Sequence, residues 1–304
     1  MDRLSKLLAL YGVRAELYYS GGFCGARQYT GADRKGHMHL LQGGVLELSV
    51  AGRSNVRLTE PSLIFIPRPN WHQLSSTPAG EARLQCASLE FAGGVDNPLA
   101  AALPDVMVLP LAELPMLSDT VKWLFAEADG DHCGRRATLD RLFELTVIQL
   151  LRHLLDHHQL ESGMMAGLAD ARLSRSLVKM HETPQHPWSI SELASESNMS
   201  RASYAARFKA VIGQTPADYL LSWRISLAQK LLREGTAMAL VSDQVGYESP
   251  SALARAFRRK TGLNPRDWVK SIDAVDAHPV RSSATRIKRM DDKKAQPPAR
   301  SGTA

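Results

Sequence analysis

The sequence predicts an α+β chain in two unlike halves: a small antiparallel β-barrel with helices behind it, then an all-α domain. Three observations predict this. One pattern is written twice between Trp188 and Trp268, at helical spacing. A period of two runs through residues 15–91. Charge divides with the halves: residues 1–170 carry 15 Lys+Arg and 19 Asp+Glu, net −4, whereas residues 171–304 carry 22 and 12, net +10. A basic half joined to a mildly acidic one points to nucleic acid for one half only.

The repeat is the most specific signal. Ser200, Phe208, Gly213 and Pro216 recur as Ser249, Phe257, Gly262 and Pro265, at a constant offset of 49 residues. A fixed offset means one supersecondary unit used twice. Each copy reads physically. Ser200 and Ser249 accept from the free N–H groups of a helix start, and Pro250 sits at the first helical position, where its missing N–H costs nothing. Tyr204 and Phe208, like Leu253 and Phe257, lie four apart and form one apolar face. Gly213 and Gly262 stop the helices. Thr215-Pro-Ala-Asp218 and Asn264-Pro-Arg-Asp267 restart them with a cap, a proline and an acid in the first turn. Before the copies lie short amphipathic helices, Ile190 to Glu196 and Met238 to Val245, here at an offset of 48, so the second turn is one residue longer. Short helix, tight turn, second helix is a helix-turn-helix, whose second helix enters the major groove. Residues 216–234 link the units through a helix with Tyr219, Leu220, Trp223, Leu227 and Leu231 on its core face.

On these residues, together with Leu193-Ala194, Lys209, Arg224, Ala228, Leu231-Leu232, Val245-Gly-Tyr247, Arg258 and Gly262-Leu-Asn-Pro265, the stretch resembles the DNA-binding domain of the AraC/XylS family of bacterial transcription regulators. The match covers about a third of the chain. It implies double-stranded DNA as partner, with RNA polymerase as a further one. On the second recognition helix Leu253 and Phe257 face inward, which puts Ser251, Arg255, Arg258 and Arg259 on or beside the outward face. Arg255 is the candidate base reader, because its fork takes guanine O6 and N7 together. Arg258 and Arg259 are candidate phosphate ligands, which set register without reading sequence. On the first recognition helix the resemblance puts Ala202, Ala205 and Ala206 at base edges, where alanines meet thymine methyls or permit close approach. Arg201, Ser203 and Lys209 are the phosphate candidates there. Arg224, on the linking helix, either braces the two units or touches phosphate.

The N-terminal half begins with a short amphipathic helix, Asp2 to Tyr11. Strands follow: Leu46, Leu48 and Val50 alternate, Leu63 to Ile66 is a continuous apolar run, and Gly43-Gly44, Ala51-Gly52 and Pro67-Arg-Pro-Asn70 punctuate. Many short strands with turn signals suggest a small barrel or jelly roll. Gly36-His-Met-His39-Leu-Leu, Glu60 to Pro67 and Pro69-Asn-Trp-His72-Gln-Leu resemble the cupin domain that fronts some AraC-type regulators. Residues 98–115 are expected to pack across the barrel, and 115–128 and 135–158 to be helices. The second carries a broad stripe from Leu139 to Leu155. Its width fits either a dimerisation helix, as the resemblance implies for a homodimer, or packing against its own barrel. The expected domains are residues 1–160 for effector sensing and dimerisation, a linker at 161–171, the DNA-binding domain at 172–273, and a basic tail at 274–304.

His37, His39 and His72 raise a metal question, since His-x-His on a strand puts both rings on one face. Metal-binding cupins add a glutamate a short gap later; here Gly43 and Gly44 fall in that region and Glu47 comes late. The expectation is therefore no metal and no cofactor, with His39 and His72, near Trp71, lining a small-molecule cavity or serving as structural histidines. Cys24 and Cys86 are placed as in cupin-fronted AraC-type regulators that sense hypochlorous acid through thiol oxidation; the other reading is that buried cysteine is simply a small hydrophobe. The effector is thus a small molecule or an oxidant. No Ser/His/Asp arrangement, Gly-rich phosphate loop or Cys-x-x-Cys suggests catalysis, so a regulator is expected and not an enzyme. Three cysteines do not make a disulfide framework, no apolar run approaches a membrane span, and Met1-Asp-Arg-Leu lacks a signal-peptide layout, so the cytoplasm is expected.

Overall fold

The computed structural model describes residues 2–94, 97–157, 159–160 and 162–276. The expected tail starts inside the last helix and otherwise lies outside the described residues.

Among the described residues, nine strands form two antiparallel sheets. They are β1 (Val13–Phe23), β2 (Gly25–Tyr29), β3 (Gly36–Gly43), β4 (Leu46–Val50), β5 (Val56–Leu58), β6 (Ser62–Ile66), β7 (His72–Ser76), β8 (Ala82–Phe91) and β9 (Met107–Pro110). One sheet has the order β1-β8-β3-β6-β9 and the other β2-β7-β4-β5. Period-two alternation sorts the side chains. Leu41, Ile64, Ile66, Leu84 and Cys86 fill the space between the sheets with Leu46, Leu48 and Leu74, whereas Met38, Leu40, Leu63, Phe65, Ala87 and Leu89 face away toward the helices. The run from Leu63 to Ile66 is continuous because both faces of β6 are buried. Residues 98–110 form α2 (Pro98–Ala101) and then β9, which pairs with β6 from Ser62↔Pro110 to Phe65↔Met107.

The outer face of the five-stranded sheet is covered by α1 (Ser5–Tyr11), α3 (Ser118–Asp129) and α4 (Arg135–Asp156). The apolar stripe of α4 is consumed within one chain: Leu139, Leu142, Phe143, Val147, Leu150, Leu151, Leu154 and Leu155 are all buried. Each such leucine contributes on the order of 2 kcal/mol. Polar contacts fix the register of α4 on β1, where Leu17 N–H donates to Asp140 (2.7 Å) and Ala15 N–H to Glu144 (3.3 Å). The stripe packs against the barrel on one side and α5 on the other.

The segment expected as a linker is different in the structure. Residues 164–169 form a helix, α5 (Met164–Ala169), and every one of its residues is buried. Small and flexible residues, Gly163, Met164, Met165 and Gly167, read as a linker in sequence; here they allow close packing. The C-terminal half then runs α6 (Leu173–Glu182), α7 (Ile190–Glu196), α8 (Arg201–Ile212), α9 (Pro216–Arg233), α10 (Met238–Gln244), α11 (Pro250–Thr261) and α12 (Pro265–Asp276). The first helix-turn-helix, α7–α8, shares one core with the barrel's helices, reaching Tyr204, Phe208 and Trp223. The second, α10–α11, has a separate core of Val241, Val245, Leu253, Phe257 and Trp268. Helix α1 crosses the junction: Tyr11 meets Trp223 edge-on at 5.3 Å, and Arg3 donates to Leu168 O (3.1 Å) and pairs with Asp156 (2.9 Å).

Candidate nucleic-acid interface

Local chemistry positions both recognition helices. Ser189 and Glu192 form a reciprocal capping box that starts α7. Ser200 Oγ accepts from Ser203 N–H and Ser249 Oγ from Ala252 N–H, each at 3.2 Å, which starts α8 and α11. Both helices end in the left-handed region, at Gly213 (φ 85°) and Gly262 (φ 80°). Tyr204, Phe208 and Ile212 bury one face of α8, and Leu253, Ala256 and Phe257 the same face of α11. The opposite faces are free. Arg201, Ala202, Ser203, Ala206 and Lys209 are exposed on α8, as are Ser251, Arg255, Arg258 and Arg259 on α11. Ala205 is half-buried and lies off the outward line. The two surfaces differ in chemistry: α11 presents three guanidinium groups, whereas the outward line of α8 has alanines flanked by Arg201 and Lys209.

Arg224 resolves one of the alternatives left open by the sequence. Its Nε donates to Pro184 O (2.6 Å), Nη2 to His186 O (2.9 Å) and Nη1 to Gly246 O (3.4 Å). The guanidinium also lies 5.8 Å from the Tyr247 ring centre. The first two carbonyls precede α7 and the third sits in the turn of the second unit, so Arg224 braces the units against each other. The approach is close: a Cβ on Gly246 would lie 2.6 Å from the Gln185 Cα and O. Burial holds the Arg224 pKa below its ordinary value, the cost of placing a cation among carbonyls instead of water.

Inside the barrel, His37, His39 and His72 come together from β3 and β7, 0–2% exposed. His72 Nδ1–H donates to Asn70 O (3.0 Å), which leaves its Nε2 to accept from His39 Nε2–H, also at 3.0 Å. His39 Nδ1 then faces the Tyr18 hydroxyl at 3.5 Å. Tyr29 stacks on His72 at 4.4 Å. Asp33 pairs with His37 at 3.2 Å. His39 and His72 turn their Nε2 atoms on one another, His37 Nε2 faces Asp33 while its buried Nδ1 has no hydrogen-bond partner, and Glu47 is exposed on the far side of β4. Among the described residues no group of three or more His, Cys, Asp or Glu is arranged to hold a metal ion. Trp71, one position before His72, is 36% exposed and stands at the surface, apart from the cluster.

The histidine cluster makes stability depend on pH. Burial, with a smaller contribution from His37, holds His72 down to about 4 against an ordinary 6.5. Burial and the charges of His72 and His37 hold His39 well below that value too. The unfolded chain therefore binds more protons between these values. The stabilisation is complete above about pH 6.5 and is lost as pH falls toward 4, by roughly 3 kcal/mol for His72 alone. Thermal melts from pH 7.5 to 4 are expected to show the decline, and His72→Gln to make it shallower. An unchanged slope in that variant would remove His72 as its source.

A helix-turn-helix family model matches residues 193–271, and a cupin model matches residues 2–156. An AraC-like transcription regulator of Streptomyces lividans is 32% identical over 303 residues, covering 89% of this chain and 98% of that one. The chain belongs to the AraC-like transcription regulators. A second relative, from Streptomyces antibioticus, is 40% identical over 186 residues; that match takes in 59% of this chain and 61% of the relative. The solved DNA-binding domain of AdpA, in complex with a target DNA, aligns with 34% of this chain and 96% of its own length, at 27% identity and a TM-score of 0.32.

Two cysteines of this AraC-like regulator lie apart. Cys86 pairs across the ladder with Tyr19, and Phe23 with Ala82, so Cys24 is beyond the end of that stretch. Four or more steps of about 3.3 Å separate them along the strands, whereas a bridge needs α-carbons within about 7 Å. Cys24 is exposed and Cys86 buried. Burial pushes the Cys86 thiol up to about 12, far from the thiolate that oxidants attack. Reading the sequence did not find Tyr18, Tyr29 and Arg27 around the histidines, nor the pairing of Arg207, on the flank of the first recognition helix, with Asp170. Arg27 lies 5.2 Å from the Tyr18 ring centre and 5.6 Å from that of Tyr29. Alternation along β2 was the only available signal for it.

Proposed function

We propose that this AraC-like regulator binds specific promoter DNA through α8 and α11 in successive major grooves, and that its barrel domain adjusts this binding in response to a small ligand or an oxidant. The observation that carries the reading is the pair of equivalent, capped helices with free basic faces on a brace that holds them together. Arg255 reads base edges, Arg258 and Arg259 hold phosphates, and Ser251 flanks them. On the first helix, Arg201, Ser203 and Lys209 contact phosphates while Ala202 and Ala206 admit the duplex closely. His39 and His72, with Tyr18 and Tyr29, line the responsive interior, and Cys24, at the surface of the same domain, is the accessible thiol. The protein acts in the cytoplasm as a homodimer, with RNA polymerase as a further partner, and is not an enzyme.

Lys209→Ala tests the phosphate assignment. Affinity is expected to fall alike for selected and scrambled duplexes. The slope of log K against log salt becomes shallower by about 0.9, the contribution of one released counterion. A loss confined to the selected duplex would instead make Lys209 a base reader. For the whole reading, gel-shift titration of the full chain on duplexes selected from a random pool is the test. Equal binding of selected and scrambled DNA would overturn it.

A further inference from the structure

We infer that Asp170 is a positioning residue of the DNA-binding surface, acting through Arg207 to hold the first recognition helix in the pose that the barrel domain dictates. The inference rests on the DNA-binding reading above. Arg207 lies on the flank of α8, between its buried and outward faces. Its Nε and Nη2 donate to one Asp170 oxygen at 2.9 and 2.5 Å. The Asp170 side chain is 7% exposed, and its other oxygen accepts from Arg172 and Leu173 N–H, the free donors at the start of α6. The carboxylate therefore has no freedom to follow α8; α8 must follow it.

Two more contacts tie the same segment to α8. Gly163 N–H donates to Val211 O (2.9 Å) near the end of that helix. Gly167 leaves no room beside it: a Cβ there would meet Ile212 Cδ1 at 2.1 Å and Leu177 Cδ1 at 2.7 Å. Residues 163–170, built around the buried helix α5, thus grip α8 at 163, 167 and 170, and α5 packs against α4 of the barrel domain. The internal repeat shows that the grip is not a requirement of the helix-turn-helix. The position equivalent to Arg207, 49 residues on, is Ala256, which is buried in the second unit's core. Among the described residues, the charged clamp occurs in the copy that the barrel domain reaches through α5 and not at the equivalent position of the other.

The test is a double-mutant cycle in the full chain: Asp170→Ala, Arg207→Ala, the double variant, and the reversed pair Asp170→Arg with Arg207→Asp. The probe is a duplex selected by the unsubstituted chain from a random pool. Each single change is expected to weaken binding about tenfold. Hydroxyl-radical protection is expected to fade only over the half of the site insensitive to Arg255→Ala. The double variant should be no weaker than either single one, and the reversed pair should recover part of the loss. If Arg207 instead holds a phosphate, Asp170→Ala frees it and binding tightens, which overturns the inference. Multiplicative losses overturn it too, as does a lowered melting temperature with affinity and footprint unchanged. Binding by the unsubstituted chain tests the underlying reading; the ratios among variants test this one.

Discussion

An Arg255→Ala chain is expected to lose most of its preference between its selected duplex and one altered at a single guanine. Arg255 is exposed at the middle of α11, opposite Leu253 and Phe257; in the proposed reading its bidentate fork takes guanine O6 and N7. Such a pair contributes about 1–3 kcal/mol of discrimination, so preference at that position should fall by roughly 5- to 150-fold. Non-specific affinity should drop only slightly, because the exposed Arg258 and Arg259, the proposed phosphate ligands, remain. Competition titrations with a panel of single-base variants measure this. If every position retains its preference, base reading lies elsewhere on the surface.

The second large effect concerns the brace. Arg224→Met keeps the length of the side chain and removes its donors, leaving Pro184 O, His186 O and Gly246 O without their partner. Charged hydrogen bonds of this kind contribute about 1.5–3 kcal/mol each when isolated, and a shared cation gives less than their sum. Melting temperature should fall. The more telling loss is in DNA binding. Two units held at fixed spacing bind the second groove at high effective concentration, and loosening that spacing removes up to about a hundredfold of affinity for the full site. Affinity for a duplex bearing only one half-site should hardly change. Equal losses on full and half sites would make Arg224 a DNA contact and not a brace. Gly246→Val, which forces the two turns apart, should reproduce the Arg224→Met pattern.

Much of the C-terminal half was readable because its information is local. A cap lies three residues from its acceptor, and an apolar face repeats every three or four. The left-handed glycine stops directly follow the helices they end. Ser200 and Ser249, Tyr204 and Leu253, Gly213 and Gly262 all announce themselves within one turn of their effect, and the 49-residue offset doubles each signal. The exposed basic faces of α8 and α11 follow from the same periodicity. The barrel was readable as a class, since alternation marks strands, but its pairing was not. Nothing near Cys86 says that it sits opposite Tyr19, or that Cys24 falls several rungs away.

By itself, then, the order of residues determined two capped helix-turn-helix units, their outward side chains, a barrel ahead of them and the split in charge. Tertiary structure alone decided which long-range partners meet. It turned a supposed linker into the buried helix α5 and made Arg224 a brace. It joined His39 to His72 across 33 positions, tied Arg207 to Asp170 across 37, and left Trp71 outside the barrel. The physical reason is the range of the interactions. Caps and periodicity act within a turn of the chain, whereas packing and buried ion pairs depend on how elements far apart in sequence settle against one another.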